Sequence, residues 1–251
     1  MRLVGVGVGP GDPELLTVKG ARVLREADAV VVPVMAGAPQ GSGRAEATVL
    51  AYVAAERVHR VPFALDDRGG VTARREEAWD AAARAVLAVF DGLDGLADGG
   101  GTRTVAFATI GDPNVYSTFH YLAQTVHALR PGVETSTVPG VTALQDLAAR
   151  SGVVLCEGRE PLTLVPLTAG VETFETALAG PGTVVAYKGW RRMDGVRAAI
   201  ERQGRAGTAV VGSGLGLPAE WIGPLARLAG PLPYLSTVLV PPVREGRGGK
   251  L

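Results

Sequence analysis

Cysteine is nearly missing from this chain of 251 residues. Cys156 stands alone, which excludes an internal disulfide and any cysteine-rich metal site. Histidine is almost as scarce: His59, His120 and His127 are scattered without metal-ligand spacing. His120 and His127 lie seven apart on one face of one predicted helix, a pattern that fits a surface or structural place better than catalysis. An excess of either charge is missing too, since Lys+Arg and Asp+Glu are both 25. That balance argues against nucleic acid as the main partner, because phosphate binding leaves a basic surplus. An anionic small molecule stays possible, for a few arginines focused in one cleft do not show in the total. No apolar run reaches the roughly eighteen residues that a membrane-spanning helix needs. The opening Met1-Arg2-Leu3-Val4-Gly5 enters a strand and turn at once, with no apolar leader, so the chain is expected to be cytoplasmic. Hydrophobic residues at 47% and charged ones at 20% leave an ordinary globular composition and argue against disorder.

Short apolar runs and helical periodicities alternate along the chain. Leu3–Val8 reads as a strand broken by Gly9-Pro10-Gly11-Asp12-Pro13, and Glu14–Glu26 follows at helical spacing with Asp12 or Thr17 as its start signal. Ala29–Val34, Arg57–Pro62, Thr104–Thr109 and Glu134–Val138 are further strands. Ala45–Ala55, Glu76–Phe90, Tyr116–Leu129 and Thr142–Ser151 are helices, and Gly92–Gly101 is an exposed loop. From Pro161 the texture changes. Leu162–Pro166, Thr183–Tyr187, Ala209–Val211 and Tyr234–Val240 are strand candidates, with helices at Gly170–Leu178 and Met193–Gln203. The alternation predicts an α/β protein of two domains, residues 1–113 around a parallel sheet and residues 114–251 around a mixed one, with no internal repeat.

Two loops invite a ligand. Gly5-Val6-Gly7-Val8-Gly9-Pro10-Gly11 is rich in glycine, but the dinucleotide fingerprint fails: counted from Gly5 its third glycine falls on Pro10, and from Gly7 on Asp12. No Gly-Lys-Ser/Thr follows, so a phosphate-cradling loop fails as well. Ala106-Phe107-Ala108-Thr109-Ile110-Gly111-Asp112-Pro113 is a strand running into a Gly-Asp-Pro turn, and ligands of open α/β sheets bind outside the carboxyl ends of strands. Glycine lets the backbone approach a ligand, and proline fixes the chain beyond it. Val115-Tyr116-Ser117-Thr118 then sets two hydroxyls at a predicted helix start. Asp112 reads equally as the Asx residue of a turn or a helix cap.

Three segments in this order, Gly5–Pro33, Gly111–Thr118 and Val138-Pro139-Gly140-Val141-Thr142-Ala143, resemble the tetrapyrrole (corrin/porphyrin) methylase family. Gly7-Val8-Gly9-Pro10-Gly11-Asp12-Pro13-Glu14-Leu15-Leu16-Thr17 is similar to its opening signature, and the resemblance spans essentially the whole chain. Gly111-Asp112-Pro113 with Tyr116-Ser117-Thr118, Ser42-Gly43-Arg44-Ala45-Glu46, Cys156-Glu157-Gly158 before Leu162-Thr163-Leu164, and Tyr187-Lys188-Gly189 look like the branch that methylates precorrin-2 at C20. The resemblance implies two α/β domains of the tetrapyrrole methylase type with a cofactor cleft between them, in a homodimer. It implies S-adenosylmethionine as cofactor and S-adenosylhomocysteine as product. By position, the cofactor contacts are Pro10, Ile110, Gly111, Asp112, Val115, Ser117, Thr118, Thr142 and Ala143, with Lys188 and Leu215 in the second domain. No metal, nucleic acid or membrane is implied.

The acceptor of such a reaction carries many carboxylates and calls for an electropositive cleft. Arg44, Arg68, Arg74, Arg191 and Arg192 are candidates, with Arg44 foremost because it lies inside the resembling motif. Arg74 and Arg75, beside Glu76 and Glu77, read better as solvated surface charge. A methyl on sulfonium is already activated, so holding donor and acceptor in near-attack geometry, worth roughly 7–11 kcal/mol, is the main task. The methylated carbon then loses a proton, for which Tyr116, Asp112 and Glu157 are the candidate groups, and the sequence does not choose between them.

Overall fold

Strand runs such as residues 30–32 and 105–108, buried at every position, must be covered on both faces, and the fold supplies such cover in each of its two sheets. A computed structural model of the chain describes residues 1–35, 43–63, 71–95, 101–188, 192–230, 232–233 and 235–246. It divides into two compact units, Met1–Thr142 and Ala143–Leu251.

In the first unit, β1 (Arg2–Gly7), β2 (Ala29–Met35), β3 (Val58–Phe63), β4 (Thr104–Thr109) and β5 (Glu134–Val138) form a sheet in the order β3-β2-β4-β1-β5. Every pairing is parallel. The two-residue period of the strands sends Leu3, Val31, Val61, Phe63, Val105 and Phe107 to one face. There they meet Ala82, Ala83, Val86 and Phe90 of α3 (Ala73–Asp94) and Phe119, Leu122 and Val126 of α4 (Phe119–Leu129). Val4, Val6, Val30, Val32, Ala106 and Ala108 point the other way, onto Leu24 of α1 (Val18–Glu26) and Val49 of α2 (Arg44–Leu50). Both start signals read before α1 are used: Asp12 caps a 3-10 turn at Pro13–Leu15, and Thr17 caps α1 itself through the Gly20 N–H. α4 begins at Phe119, three residues later than its periodicity predicts, because Tyr116 adopts φ 53° and cannot belong to a helix. The expected helix at Ala45–Ala55 stops at Leu50 and gives way to a 3-10 turn at Ala55–Arg57.

The second unit opens with α5 (Ala143–Ser151). It then runs through β6 (Leu162–Pro166), α6 (Val171–Leu178), β7 (Thr183–Tyr187), α7 (Met193–Arg202), β8 (Val210–Ser213), β9 (Trp221–Pro224) and β10 (Ser236–Val240). Its sheet has the order β6-β7-β10-β8-β9, with β6 and β7 parallel and the other pairs antiparallel. α6 and α7 cover one face through Phe174, Leu178, Val196 and Ile200. α5 covers the other with Leu144, Leu147 and Ala148.

The division falls after Thr142 rather than near residue 113. The reason is pairing: β5 lies beside β1 from Arg2↔Glu134 to Val6↔Val138, so α4 and β5 complete the first sheet. No helix among the described residues is long and apolar enough to cross a membrane.

Candidate functional site

Parallel strands deliver their carboxyl ends to one edge of a sheet, and three glycines meet at this edge of the first unit. The Gly111 N–H donates to the Gly9 carbonyl at 2.8 Å, joining the first loop to the turn after β4. A methyl group added to Gly7 would sit 2.5 Å from the Gly111 carbonyl oxygen and 2.7 Å from the Gly140 nitrogen. Gly7 and Gly140 are therefore glycine because three main chains close on one another. Gly111 is glycine for another reason: its φ is 69°, and a side chain there would meet nothing within 4 Å. Its main chain borders open space at the end of β4. Pro10 is buried beside the Gly9–Gly111 bridge, and Ile110 is half-buried.

Asp112 holds this corner together. One carboxylate oxygen accepts from the Asn114 N–H at 2.8 Å and the other from the Gly140 N–H at 3.0 Å, which ties the turn after β4 to the loop after β5. The side chain is buried, 9% exposed, so these are bonds to a charged group shielded from water. Val115 follows in a turn closed by its N–H to the Asp112 carbonyl, 3.2 Å. The Ser117 hydroxyl lies 3.0 Å from that of Thr109 and accepts from the Phe119 N–H at 3.1 Å, so Ser117, one residue ahead of the N-cap Thr118, satisfies the first free amide of α4. Thr118 makes no side-chain cap bond there. Tyr116 is exposed in the left-handed region, and partial burial pushes its phenol above the ordinary tyrosine range. The phenol is thus neutral at neutral pH, a hydrogen-bonding group rather than a ready base.

Arg44 opens α2 on the same carboxyl edge, and burial draws its guanidinium below the usual arginine range. Glu46 from the same motif is buried. It accepts from the Gly43 N–H at 3.2 Å and from Arg60 of β3 at 2.6–3.0 Å, which locks the start of α2 onto the sheet edge. The Tyr52 hydroxyl donates to the Pro13 carbonyl at 2.8 Å and anchors the chain after α2 to the first loop. Ser42, Arg68, Gly189 and Arg191 lie outside the described residues. Arg74 sits on the exposed first turn of α3, and Arg192 is exposed just ahead of α7. His120 and His127 are exposed on α4, and no group of three or more His, Cys, Asp or Glu is disposed to hold a metal among the described residues.

In the second unit, the Tyr187 hydroxyl at the end of β7 accepts from the Leu144 N–H at 2.9 Å, next to Ala143 in the first turn of α5. Lys188 follows with φ 59°; it and Tyr116 are the two non-glycine residues with positive φ among those described. Strain of about 1–2 kcal/mol at such a residue persists where surrounding structure enforces it. Leu215, between Gly214 (φ 60°) and Gly216 (φ 71°), turns its side chain into the core with Leu144 and Leu147. Of the contact expected at Leu215, only a main-chain part is compatible with that burial. Glu220 accepts from the Gly216 N–H at 2.7 Å and pairs with Arg150 of α5. Sequence reasoning passed over Glu220, Arg150 and Thr109. Only Glu220, four residues after a Gly-Leu-Gly turn, left a local trace.

Known proteins similar to this chain agree with the motifs. Residues 2–229 match the model of the Tetrapyrrole (Corrin/Porphyrin) Methylases. A precorrin-2 C(20)-methyltransferase of Sinorhizobium sp is 34% identical over 96% of this chain and 95% of its own length. A cobalt-precorrin-2 C(20)-methyltransferase of Salmonella typhimurium is 29% identical over 95% of each chain. Among solved structures, a uroporphyrin-III C-methyl transferase from Thermus thermophilus complexed with S-adenyl homocysteine superposes with a TM-score of 0.60. It covers 96% of this chain and 97% of that one at 24% identity, a likeness of fold.

Proposed function

Because the chain belongs to the tetrapyrrole methylase family, we propose that it methylates precorrin-2, or its cobalt-bearing counterpart, at C20 with S-adenosylmethionine in cobalamin biosynthesis. The observation that carries the reading is the corner at Gly111: a left-handed glycine whose main chain borders open space, backed by a buried aspartate that ties two strand-end loops together. S-adenosylmethionine supplies an electrophilic methyl group on a sulfonium. A cofactor of that kind needs main-chain hydrogen bonds, an apolar wall and a few hydroxyls, which these loops carry.

In this reading the cofactor contacts are Pro10, Ile110, Gly111, Val115, Ser117, Thr118, Thr142, Ala143, Lys188 and the main chain of Leu215. Asp112 has both oxygens engaged by backbone N–H groups, so its part is to fix the geometry of Gly111 rather than to shuttle a proton. Tyr116 orients the acceptor ring as a neutral hydrogen-bonding group. Arg44, desolvated at the start of α2 and close in sequence to the ion pair that anchors that helix, receives a substrate carboxylate. The protein's contribution is chiefly alignment, since the leaving group needs no protonation. We take the enzyme to work as a homodimer in the cytoplasm, and sedimentation equilibrium checks the first of these.

Precorrin-2 and cobalt-precorrin-2 should each be offered with the methyl donor labelled with carbon-13. The expected product carries its new methyl resonance at C20. Turnover of neither compound, or a label at another carbon, overturns the reading, and uroporphyrinogen-III in a parallel reaction separates this branch from the other family members.

A further inference from the structure

Leu215 poses a positioning problem that its own side chain solves by half. Burial against Leu144, Leu147, Ala148, Val185 and Leu239 fixes where the residue sits. The flanking Gly214 and Gly216 both adopt positive φ, so the direction of the Leu215–Gly216 peptide depends on hydrogen bonds rather than on side-chain sterics. A second anchor exists, and it comes from outside the loop. The Gly216 N–H donates to Oε2 of Glu220 at 2.7 Å. The same carboxylate takes a two-pronged grip from the guanidinium of Arg150. Arg150 stands in the last turn of α5, the helix whose first turn holds Ala143 and is bound by the Tyr187 hydroxyl. One carboxylate thus references the glycine loop to α5, while one phenol references the end of β7 to the same helix.

We propose that Glu220, backed by Arg150, is a positioning residue for the cofactor site, aiming the main chain of Leu215 by holding the Gly216 amide. The proposal rests on the reading above, in which Leu215 and Ala143 contact the cofactor. Two features support it. Arg150 holds the Glu220 carboxyl below the usual carboxylate range, so the acceptor stays charged through the neutral range. Around that bond, the Gly214 N–H reaches the Leu235 carbonyl at 3.4 Å, the Leu217 N–H closes a turn over Leu215 onto the Gly214 carbonyl, and the Glu220 N–H bonds the Leu217 carbonyl. None of these engages the Leu215–Gly216 peptide, whose N–H Glu220 holds. A bidentate arginine pair keeps the carboxylate from rotating away, a task a lone glutamate on a loop performs poorly.

The test compares wild type, Glu220→Ala, Glu220→Gln and Arg150→Met. It measures S-adenosylhomocysteine affinity by calorimetry, amide exchange at residues 214–217, and KM and kcat for S-adenosylmethionine. Glu220→Ala is expected to raise Kd and KM roughly tenfold, with kcat little changed and faster exchange at Gly216, as loss of a charged hydrogen bond implies. Glu220→Gln keeps an acceptor for the Gly216 amide and should recover most of the affinity; Arg150→Met should fall between. A folded Glu220→Ala with wild-type Kd and unaltered exchange overturns the proposal while leaving the cofactor reading intact. A folded Glu220→Gln as weak as Glu220→Ala also overturns it, since only a general loss of packing would then remain. Should Glu220→Ala fail to fold, the glutamine and methionine variants decide by the same criteria. If wild type itself binds no S-adenosylhomocysteine, the cofactor reading falls and this proposal with it.

Discussion

Asp112 shows how one side chain can be read two ways. A carboxylate between glycine and proline reads as a ligand contact or as a turn cap; in three dimensions it spans two loops, with Asn114 on one oxygen and Gly140 on the other. Asp112→Ala is therefore expected to cost about 1.5–3 kcal/mol of stability by urea titration and to weaken S-adenosylhomocysteine binding with it. Asp112→Asn, with one acceptor oxygen left, should lie between the two; full stability in Asp112→Ala would dismiss the tie between the loops. The glycines divide just as sharply. Gly111→Ala meets no atom and bears only the left-handed backbone cost, about 1–2 kcal/mol, so it should fold and melt at lower temperature. Gly7→Ala drives a methyl into two main chains and should not give a native fold by circular dichroism. A Gly7→Ala protein as stable as Gly111→Ala would mean the three loops can part.

At the scale of elements, α2 illustrates a helix held by an ion pair rather than by propensity. Its seven residues are too few to be stable alone, and Glu46 secures it to Gly43 and Arg60 at once. Arg60 first, with help from the Gly43 amide, holds the Glu46 carboxyl below its ordinary value of 4.5. The folded state thus binds its proton later than the unfolded chain does. The contribution is complete above the unfolded value and is lost as pH falls through the lower, folded one. Urea midpoints between about pH 3 and 7 should show Glu46→Gln losing the most stability near neutrality, with the gap to wild type narrowing in acid; a gap independent of pH would disprove the linkage. Much of the element order was legible in the sequence. β4, β5, β6 and β7 have the limits that their β-branched runs predict. What escaped was β9, Trp221–Pro224, whose four residues carry a glycine and a proline and exist as a strand only by pairing with β8. The late start of α4 escaped too, because a helical periodicity cannot announce a left-handed tyrosine. Of the candidate site, the glycines and hydroxyls were visible as motifs, whereas the pairing of Glu220 with Arg150 and of Glu46 with Arg60 joins residues 70 and 14 positions apart, so neither partner points to the other in the sequence.

At the scale of the molecule, the placement of the boundary carries a consequence that can be measured. A texture change suggested a break near residue 113, where glycine and proline interrupt the chain, but such punctuation also marks a ligand loop inside a domain. Residues 1–113 would lack β5, exposing the pairing edge of β1, and would lack Phe119, Leu122 and Val126, which cover Phe107 and its neighbours. Residues 1–142 contain all five strands and both helical layers. A fragment of residues 1–142 is therefore expected to purify in soluble form and to unfold in one cooperative transition by circular dichroism. A fragment of residues 1–113, with its apolar face and strand edge bare, should aggregate or melt without a transition. Cooperative unfolding of the shorter fragment would show that α4 and β5 are appended to a sheet already complete without them. Failure of the longer one would show that the first sheet depends on residues beyond Thr142.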